Sequence, residues 1–304
     1  MSSVVAQCNS AMNKAGAWAR RAPLLPALIF MIIVTQLPFL VTLVVSFMNW
    51  NAYYPDDRGF AGVDNFVSVL TDVNARKAIF VTVLLTVGVV LISLIVGLCI
   101  ALLLDRKFRG RGVARTLMIT PFLVVPVAAA LMWKHALFNP EYGLLNGMLK
   151  MVFGDNAPQR DWITDNPLIS IVVALVWQWT PFMMLILLAG LQSRPMDVVE
   201  AARIDGASPW QIFRSMTLPH LRPYIELSGL LGAIYVVQNF DAVFTITSGG
   251  LGTANLPYFI YQTFYTAHDY GRASAAGVVV VIGTIIIATF ALRTAFSLFQ
   301  EDSR

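Results

Sequence analysis

The chain has 304 residues, 57% of them hydrophobic and 12% charged, with a net charge of +4. Soluble domains run about 45–50% apolar and about 25% charged, so charge this sparse does not cover the surface of a water-soluble globule. The composition excludes that class and makes lipid the solvent for much of the chain.

A membrane-crossing helix needs about 20 apolar residues. Six runs qualify, at about residues 24–48, 78–104, 116–138, 168–191, 224–247 and 273–296. They are continuous rather than alternating, which favours helices over barrel strands, and a helix satisfies its own backbone in lipid. The first run exceeds the length of a signal-peptide core, and no small-x-small cleavage site precedes the bulky "SFMNWNAYY"; it is read as a retained span. The expected fold is all-α, a six-span bundle forming one membrane domain over residues 1–304. It includes a polar, cytoplasmic loop over residues 193–223.

The polar N-terminus carries Cys8, far from Cys99 in the second run, and His135, His220 and His268 are scattered. Neither a disulfide nor a metal cluster is expected. The loop "DRKFRGRGVAR", Asp105 to Arg115, dominates a charge asymmetry of fourteen Lys and Arg on the face holding both termini against seven opposite. Positive-inside places that face in the cytoplasm and assigns the run to topology rather than to nucleic acid. The outer loops, 49–77, 139–167 and 248–272, hold Trp50, Tyr53, Tyr54, Tyr142, Trp162, Tyr258 and Tyr261, as an interfacial aromatic belt does. They also hold most of the acids, Asp155 among them. Inside the spans, "TPFLVVP" (Thr120–Pro126) and "WTPF" (Trp179–Phe182) mark kinks, which suit a bundle around a pathway.

Between the fourth and fifth runs lies a polar island, "EAARIDGASPWQIFRSMTLPHLRP", Glu200 to Pro223. Asp197 with Glu200 three residues on reads as a capping box, and Gly206 as a left-handed helix end. Ser208, Pro209 and Gln211 spell a second helix start. On that helix Trp210, Phe213, Met216 and Thr217 fall on one face, while Ala201 and Ala202 keep the first helix slim. An amphipathic hairpin lying in the headgroups would carry a lopsidedly basic face. Here Arg203, Arg214 and Arg222 oppose Glu200, Asp205 and Glu226, which favours docking onto a cytoplasmic protein.

"EAARIDGA", then Phe213, then Leu218–Pro219, resembles the EAA loop of ABC importer permeases. "QNFDAVFTITSGG" (Gln238–Gly250) and "FNPEYGLLN" (Phe138–Asn146) resemble segments of the carbohydrate-uptake, maltose-transporter-like branch, although Leu251 stands where that branch often has proline. The resemblance covers the whole chain. It implies a type I importer permease in a prokaryotic inner membrane that couples to an ATPase through Glu200, Ala201, Ala202, Asp205, Gly206, Trp210, Phe213, Leu218 and Pro219. It implies as partners a homologous second permease, two cytoplasmic ATPase subunits and an extracytoplasmic solute-binding protein. No cofactor is expected on this chain, ATP and Mg belonging to the ATPase. The sequence has no GxxxxGK[ST] phosphate loop, and "SGGLGTAN" lacks the following Lys-Ser or Lys-Thr.

Candidate substrate-pathway residues are Gln178, Trp179, Tyr235, Gln238 and Asn239. The first two stand before a proline where carbohydrate permeases of this branch commonly line the path. Tyr235 and Asn239 are four apart, hence on one helical face. Amides and rings suit a neutral polyhydroxyl substrate, and the scarcity of cations deep in the spans argues against a phosphorylated one. The same side chains serve equally as contacts between helices, and Asp241 reads as a cap or ion-pair partner. An ion-coupled secondary transporter, an ABC permease for a non-carbohydrate solute and a membrane enzyme are the other readings. The first lacks intramembrane acids and the last lacks an acid or histidine constellation.

Overall fold

The computed structural model describes residues 22–154 and 157–301. Cys8, Asp155 and, of the cations on which the topology argument rests, Lys14, Arg20, Arg21 and Arg304 lie outside the described residues.

Helix α1, Leu25–Ser46, carries Pro26 in its first turn, where a missing N–H costs little. Its apolar side chains are almost all exposed, as a helix at the edge of a membrane bundle requires. A hairpin of β1 (Met48–Asn49) and β2 (Gly59–Phe60) and the short helix α2 (Asp64–Thr71) follow. Helix α3, Val73–Asp105, starts at Asp72, whose side chain accepts from the Asn74 and Ala75 N–H groups. Its 33 residues exceed the roughly 20 that cross a bilayer, so it projects beyond the hydrocarbon.

The third apolar run is not one helix. Helix α4, Arg111–Leu123, stops, and α5, Pro126–Leu131, leaves at 95° and continues as a π turn to Leu137. Pro126 lacks an N–H and forces Val125 into an extended conformation (ψ 132°), which ends the ladder there. Helix α6, Leu144–Phe153, lies in the next loop, and α7, Pro167–Gln192, runs unbroken through Pro181. The hairpin helices α8 (Met196–Ile204) and α9 (Pro209–Ile212, then a π turn to Thr217) lead into α10, Leu218–Val237. The fifth run also breaks. Helix α11, Asp241–Thr247, departs by 51° after Gln238–Phe240. Helix α12 (Leu256–Tyr261) and the long α13 (Tyr270–Glu301) complete the chain.

Three described helices are long and apolar enough to cross singly, and up to five spans result if each bent pair is one. The sixth expected run falls within α13, whose shorter apolar stretch is Tyr270–Ile286. The six expected runs are thus all helical, and two of them, the third and the fifth, are broken rather than merely kinked.

The centre of the bundle is α3 against α7. Gly97 lets the backbones meet, since a Cβ there would lie 3.1 Å from the Met184 nitrogen. Val81, Leu85, Val89, Ile171, Leu175 and Met183 fill the outer half of this core, and Tyr258 joins them. Tyr258 is thus a core residue, not a belt aromatic. Ala101, Leu104, Leu187, Leu191 and Leu221 fill the half toward residues 193–217.

Candidate functional site

Site residues gather in two places, the hairpin of α8 and α9 and a break-rich zone inside the bundle. In the hairpin, the N-cap of α8 is Pro195 with no side-chain cap. Asp197 lies in the first turn instead, so the expected capping box there is corrected; the acid still complements the helix N-terminus. At the other end Gly206 has φ +85°. The Gly206 N–H donates to Arg203 O (3.1 Å) and the Ala207 N–H to Ala202 O (2.9 Å), the paired bonds of a Schellman ending. The second start is a full capping box: Gln211 N–H donates to Ser208 Oγ, and Ser208 N–H to Gln211 Oε1 at 2.7 Å.

Val199, Ala202 and Ile212, with Ala207 and Met216, form a small core that closes the hairpin on itself. Ala202 is therefore inside and only Ala201 faces out, correcting the pairing of the two alanines at one docking face. The expected face of Trp210, Phe213, Met216 and Thr217 is likewise split. The π turn at Phe213–Thr217 adds residues to the turn and rotates Met216 and Thr217 inward. Trp210 stays 67% exposed and stacks on Phe213 at 5.6 Å. On α8, Ile204, 86% exposed, and Val198 are further outward apolar side chains, on the same helix as exposed Glu200 and next to exposed Asp205. Neither was singled out by sequence, although Ile204 stands inside the EAA motif on the helical face of Glu200. Leu218 and Pro219 open α10, so the hairpin ends at Thr217 and not at residue 223.

The hairpin base is tied to the spans. Arg194 Nη1 donates to Thr217 Oγ1 (2.5 Å), and Arg194 meets Asp105 at 3.7 Å. Ser193 Oγ lies 2.9 Å from Tyr224 OH and 3.2 Å from His220 Nε2. Gly190 allows the close approach of α7 and α10, because a Cβ there would strike the Tyr224 ring at 2.6 Å.

Inside the bundle, the Val124–Val125 break, Pro181 and the Gln238–Phe240 break come together around one aromatic group. Trp179 stacks on Tyr235 at 5.4 Å and meets Phe122 edge-on at 5.7 Å; Phe122 stacks on Phe182 at 5.4 Å. Tyr235 is 54% exposed. Gln178 points elsewhere: it is buried, and its Nε2 donates to Val124 O (3.3 Å), a carbonyl freed by the α4–α5 break. Its geometry is that of a helix contact. Gln238 is exposed at the end of α10, with Asn239 beyond it and half-buried. Because α10 ends at Val237, Tyr235 and Asn239 do not share a helical face as the spacing suggested. The Asn239 carbonyl accepts from Asn255 Nδ2, while its Oδ1 and the Trp179 Nε1 are buried without a partner. Asp241 lies in the first turn of α11, in keeping with its reading as an end group.

The outer loops explain two motifs physically. In "FNPEYGLLN", Asn139 Oδ1 accepts from the Glu141 and Tyr142 N–H groups. Asn146 is buried; it donates to Pro140 O and Arg160 O and accepts from Trp162 Nε1 at 3.0 Å. A Cβ on Gly143 would lie 2.3 Å from Asn139 O. In the glycine loop, Leu251 has φ +54°, a value the proline ring, fixed near −65°, does not reach. Leucine there is thus part of a different loop backbone. Arg272 pairs with Asp72. Burial opposes the Asp72 charge, but hydrogen bonds from Ala75, Arg272 and Asn74 and the Arg272 charge outweigh it and hold the carboxyl below the usual range. Among the described residues no three His, Cys, Asp or Glu side chains come together.

Residues 93–298 match the family model of the binding-protein-dependent transport system inner membrane component. A probable ABC transporter permease protein of Sinorhizobium fredii is 35% identical over 87% of this chain and 85% of its own. A trehalose/maltose transport system permease protein of Thermococcus litoralis is 34% identical over 90% of each. Among solved structures, a chain of a bacterial alginate ABC transporter, crystallised with an alginate pentasaccharide-bound periplasmic protein, superposes with a TM-score of 0.78. The superposition is at 21% identity and covers 92% of this chain and 94% of that one.

Proposed function

The chain belongs to the binding-protein-dependent transport system inner membrane components, multi-pass ABC importer permeases, and on that premise we propose that it carries a sugar, polyol or related carbohydrate. The relatives' names, trehalose/maltose transport and alginate import, support the substrate class. So does the Trp179–Tyr235 stack beside two helix breaks, an aromatic platform of the kind sugar C–H faces rest on, with Gln238 and Asn239 as hydrogen-bonding edges. Interrupted helices at membrane depth are tolerated where they are buried in protein or line a cavity.

The permease does no covalent chemistry in this reading. A separate ATPase subunit, holding ATP and Mg, receives the hairpin; a homologous second permease completes the pathway, and an extracytoplasmic binding protein delivers the substrate. Both termini lie in the cytoplasm, as the cation asymmetry indicates. The observation that carries the reading is the hairpin itself. Its core is closed on one side, and its outward face leaves Ile204 and Trp210 exposed in the same hairpin as Glu200. An apolar ridge fills a groove, and the acid meets basic groups at the rim.

The test is ATP-dependent uptake of a carbohydrate panel by the co-expressed complex in proteoliposomes with its binding protein. Alanine at Tyr235 or Asn239 is expected to raise the substrate concentration needed by roughly two- to tenfold, the cost of one hydrogen bond, while ATPase binding persists. Uptake of an amino acid or ion in place of every sugar would contradict the carbohydrate assignment and leave the coupling assignment standing.

A further inference from the structure

Helix α4 is cationic in its first turns and apolar beyond. The Arg111 and Arg115 guanidiniums, one turn apart, come within 2.6 and 2.8 Å of the Gln192 side-chain amide at the cytoplasmic end of α7, which satisfies both with its oxygen turned toward them. A neutral amide oxygen leaves two guanidinium charges uncompensated, and the Arg115 Nε is buried with no partner. Asp105, the acid of this loop, is turned to Arg194. Among the described residues no carboxylate pairs with Arg106, Lys107, Arg109, Arg111 or Arg115.

Beyond this pair the helices part. Because the chain turns through 95° after Leu123, a cleft of about 530 Å³ opens between α3, α4 and α7. Its walls include Val96 and Ile100 of α3, Leu117 and Met118 of α4, and Val173 and Trp177 of α7. On α7 the lining positions recur at three- and four-residue spacing, which puts them on the face opposite Trp179 and Phe182. The cleft is therefore separate from the aromatic platform.

We propose that Arg111, Arg115 and this cleft bind one anionic phospholipid of the cytoplasmic leaflet, phosphate on the guanidiniums and an acyl chain in the cleft. From Arg115 to the end of α4 the helix rises about 12 Å, so headgroup and chain sites are stacked in the order a lipid presents them. A free phosphate satisfies the arginines and leaves the cleft empty. A zwitterionic lipid brings a cation against a cluster of cations. Guanidinium forks bind phosphate with paired hydrogen bonds, and basic segments at the cytoplasmic surface attract anionic lipid. The inference does not depend on which substrate the permease carries.

The test uses the complex purified with its partner subunits and incubated with phosphatidylglycerol or phosphatidylcholine vesicles, then native mass spectrometry. One phosphatidylglycerol per copy of this chain is expected to survive, with little phosphatidylcholine. Replacing both arginines (R111Q with R115Q) is expected to weaken retention roughly thirtyfold, equivalent to about 2 kcal/mol, and R111K with R115K to keep most of it. Val173→Trp, which fills the cleft and leaves the arginines alone, is expected to release the lipid as well. Equal retention of both lipids, or retention unchanged in the glutamine pair, overturns the proposal. So does displacement by millimolar inorganic phosphate, indifference to Val173→Trp, or cross-linking of a Val173→Cys variant to the second permease in place of lipid.

Discussion

The loops 49–77, 139–167 and 248–272, expected on the outer side, and the hairpin of α8 and α9 are built from similar polar, turn-rich sequence, yet they treat their side chains in opposite ways. On the outer side the chain closes on itself. Asn65 Nδ2 donates to the Ser46 and Met48 carbonyls, the Tyr270 and Gly271 N–H groups donate to Trp50 O, and Arg272 holds Asp72. Asn146 has every hydrogen-bonding group of its amide engaged but one lone pair. In the hairpin only a core of a few side chains is closed, and Ile204, Trp210, Glu200 and Asp205 project outward. Saturated polar groups mark structure the chain completes alone. An unsaturated, apolar and charged ridge on a rigid support marks a surface completed by another molecule.

That contrast predicts a graded set of outcomes. Gly271→Val is expected to cost most, about 3 kcal/mol or more, because a Cβ there would lie 2.2 Å from the Met48 carbonyl oxygen. A normal melting temperature in the detergent-solubilised complex would show that the outer loops are not closed as described. Asn146→Ala strands the Trp162 N–H and the Arg160 carbonyl, while Pro140 O keeps its bond from Gln159, and is expected to cost about 2 kcal/mol, lowering the melting temperature with the ATPase still attached. In the hairpin the balance reverses. Gly206→Val strains a left-handed position by about 1–2 kcal/mol, and Glu200→Lys is expected to alter stability by less than about 0.5 kcal/mol. Both are nonetheless expected to abolish uptake and weaken ATPase co-purification at normal membrane abundance. Full uptake by both would remove the hairpin from coupling.

The smallest effect is on acid stability. The Asp72 carboxyl is held below its ordinary value in the fold, so its contribution is complete above about pH 4, near the unfolded value, and is lost as pH falls through the lower folded one. Arg272→Gln removes the partner. Native and variant melting temperatures are expected to differ at about pH 6 and to converge toward about pH 3; a constant gap would mean that the pair contributes nothing through the charge of Asp72.

The spans were legible because continuous apolar runs have one solution in lipid. Their breaks were not. Pro126, Pro181 and Pro223 look alike in sequence, yet only the first ends a helix, and the Val124 carbonyl freed beside that break finds Gln178 from another span. A contact 54 residues away leaves no local mark. The hairpin's punctuation was readable at Gly206 and Ser208, where backbone conformation and capping are local matters. Its faces were misread because a π turn shifts the 3.6-residue period within Phe213–Thr217. Asp197 misled because the helix begins two residues before the start that an Asp197 cap implies, directly after Pro195. In the aromatic group inside the bundle, Trp179 and Tyr235 were singled out by residue type, whereas the meeting of Phe122 and Phe182 with them depends on the break itself.

The central claim is that the outward ridge of the hairpin is covered by a separate ATPase. Photo-cross-linking side chains placed at Ile204, Trp210, Ile212 and Tyr142 in the assembled complex test it directly. Ile204 and Trp210 are predicted to cross-link to the ATPase subunit. Ile212, buried within the hairpin, and Tyr142, exposed on the outer loops, are predicted not to. Cross-links from Ile204 and Trp210 to lipid, with none to the ATPase, would contradict the account.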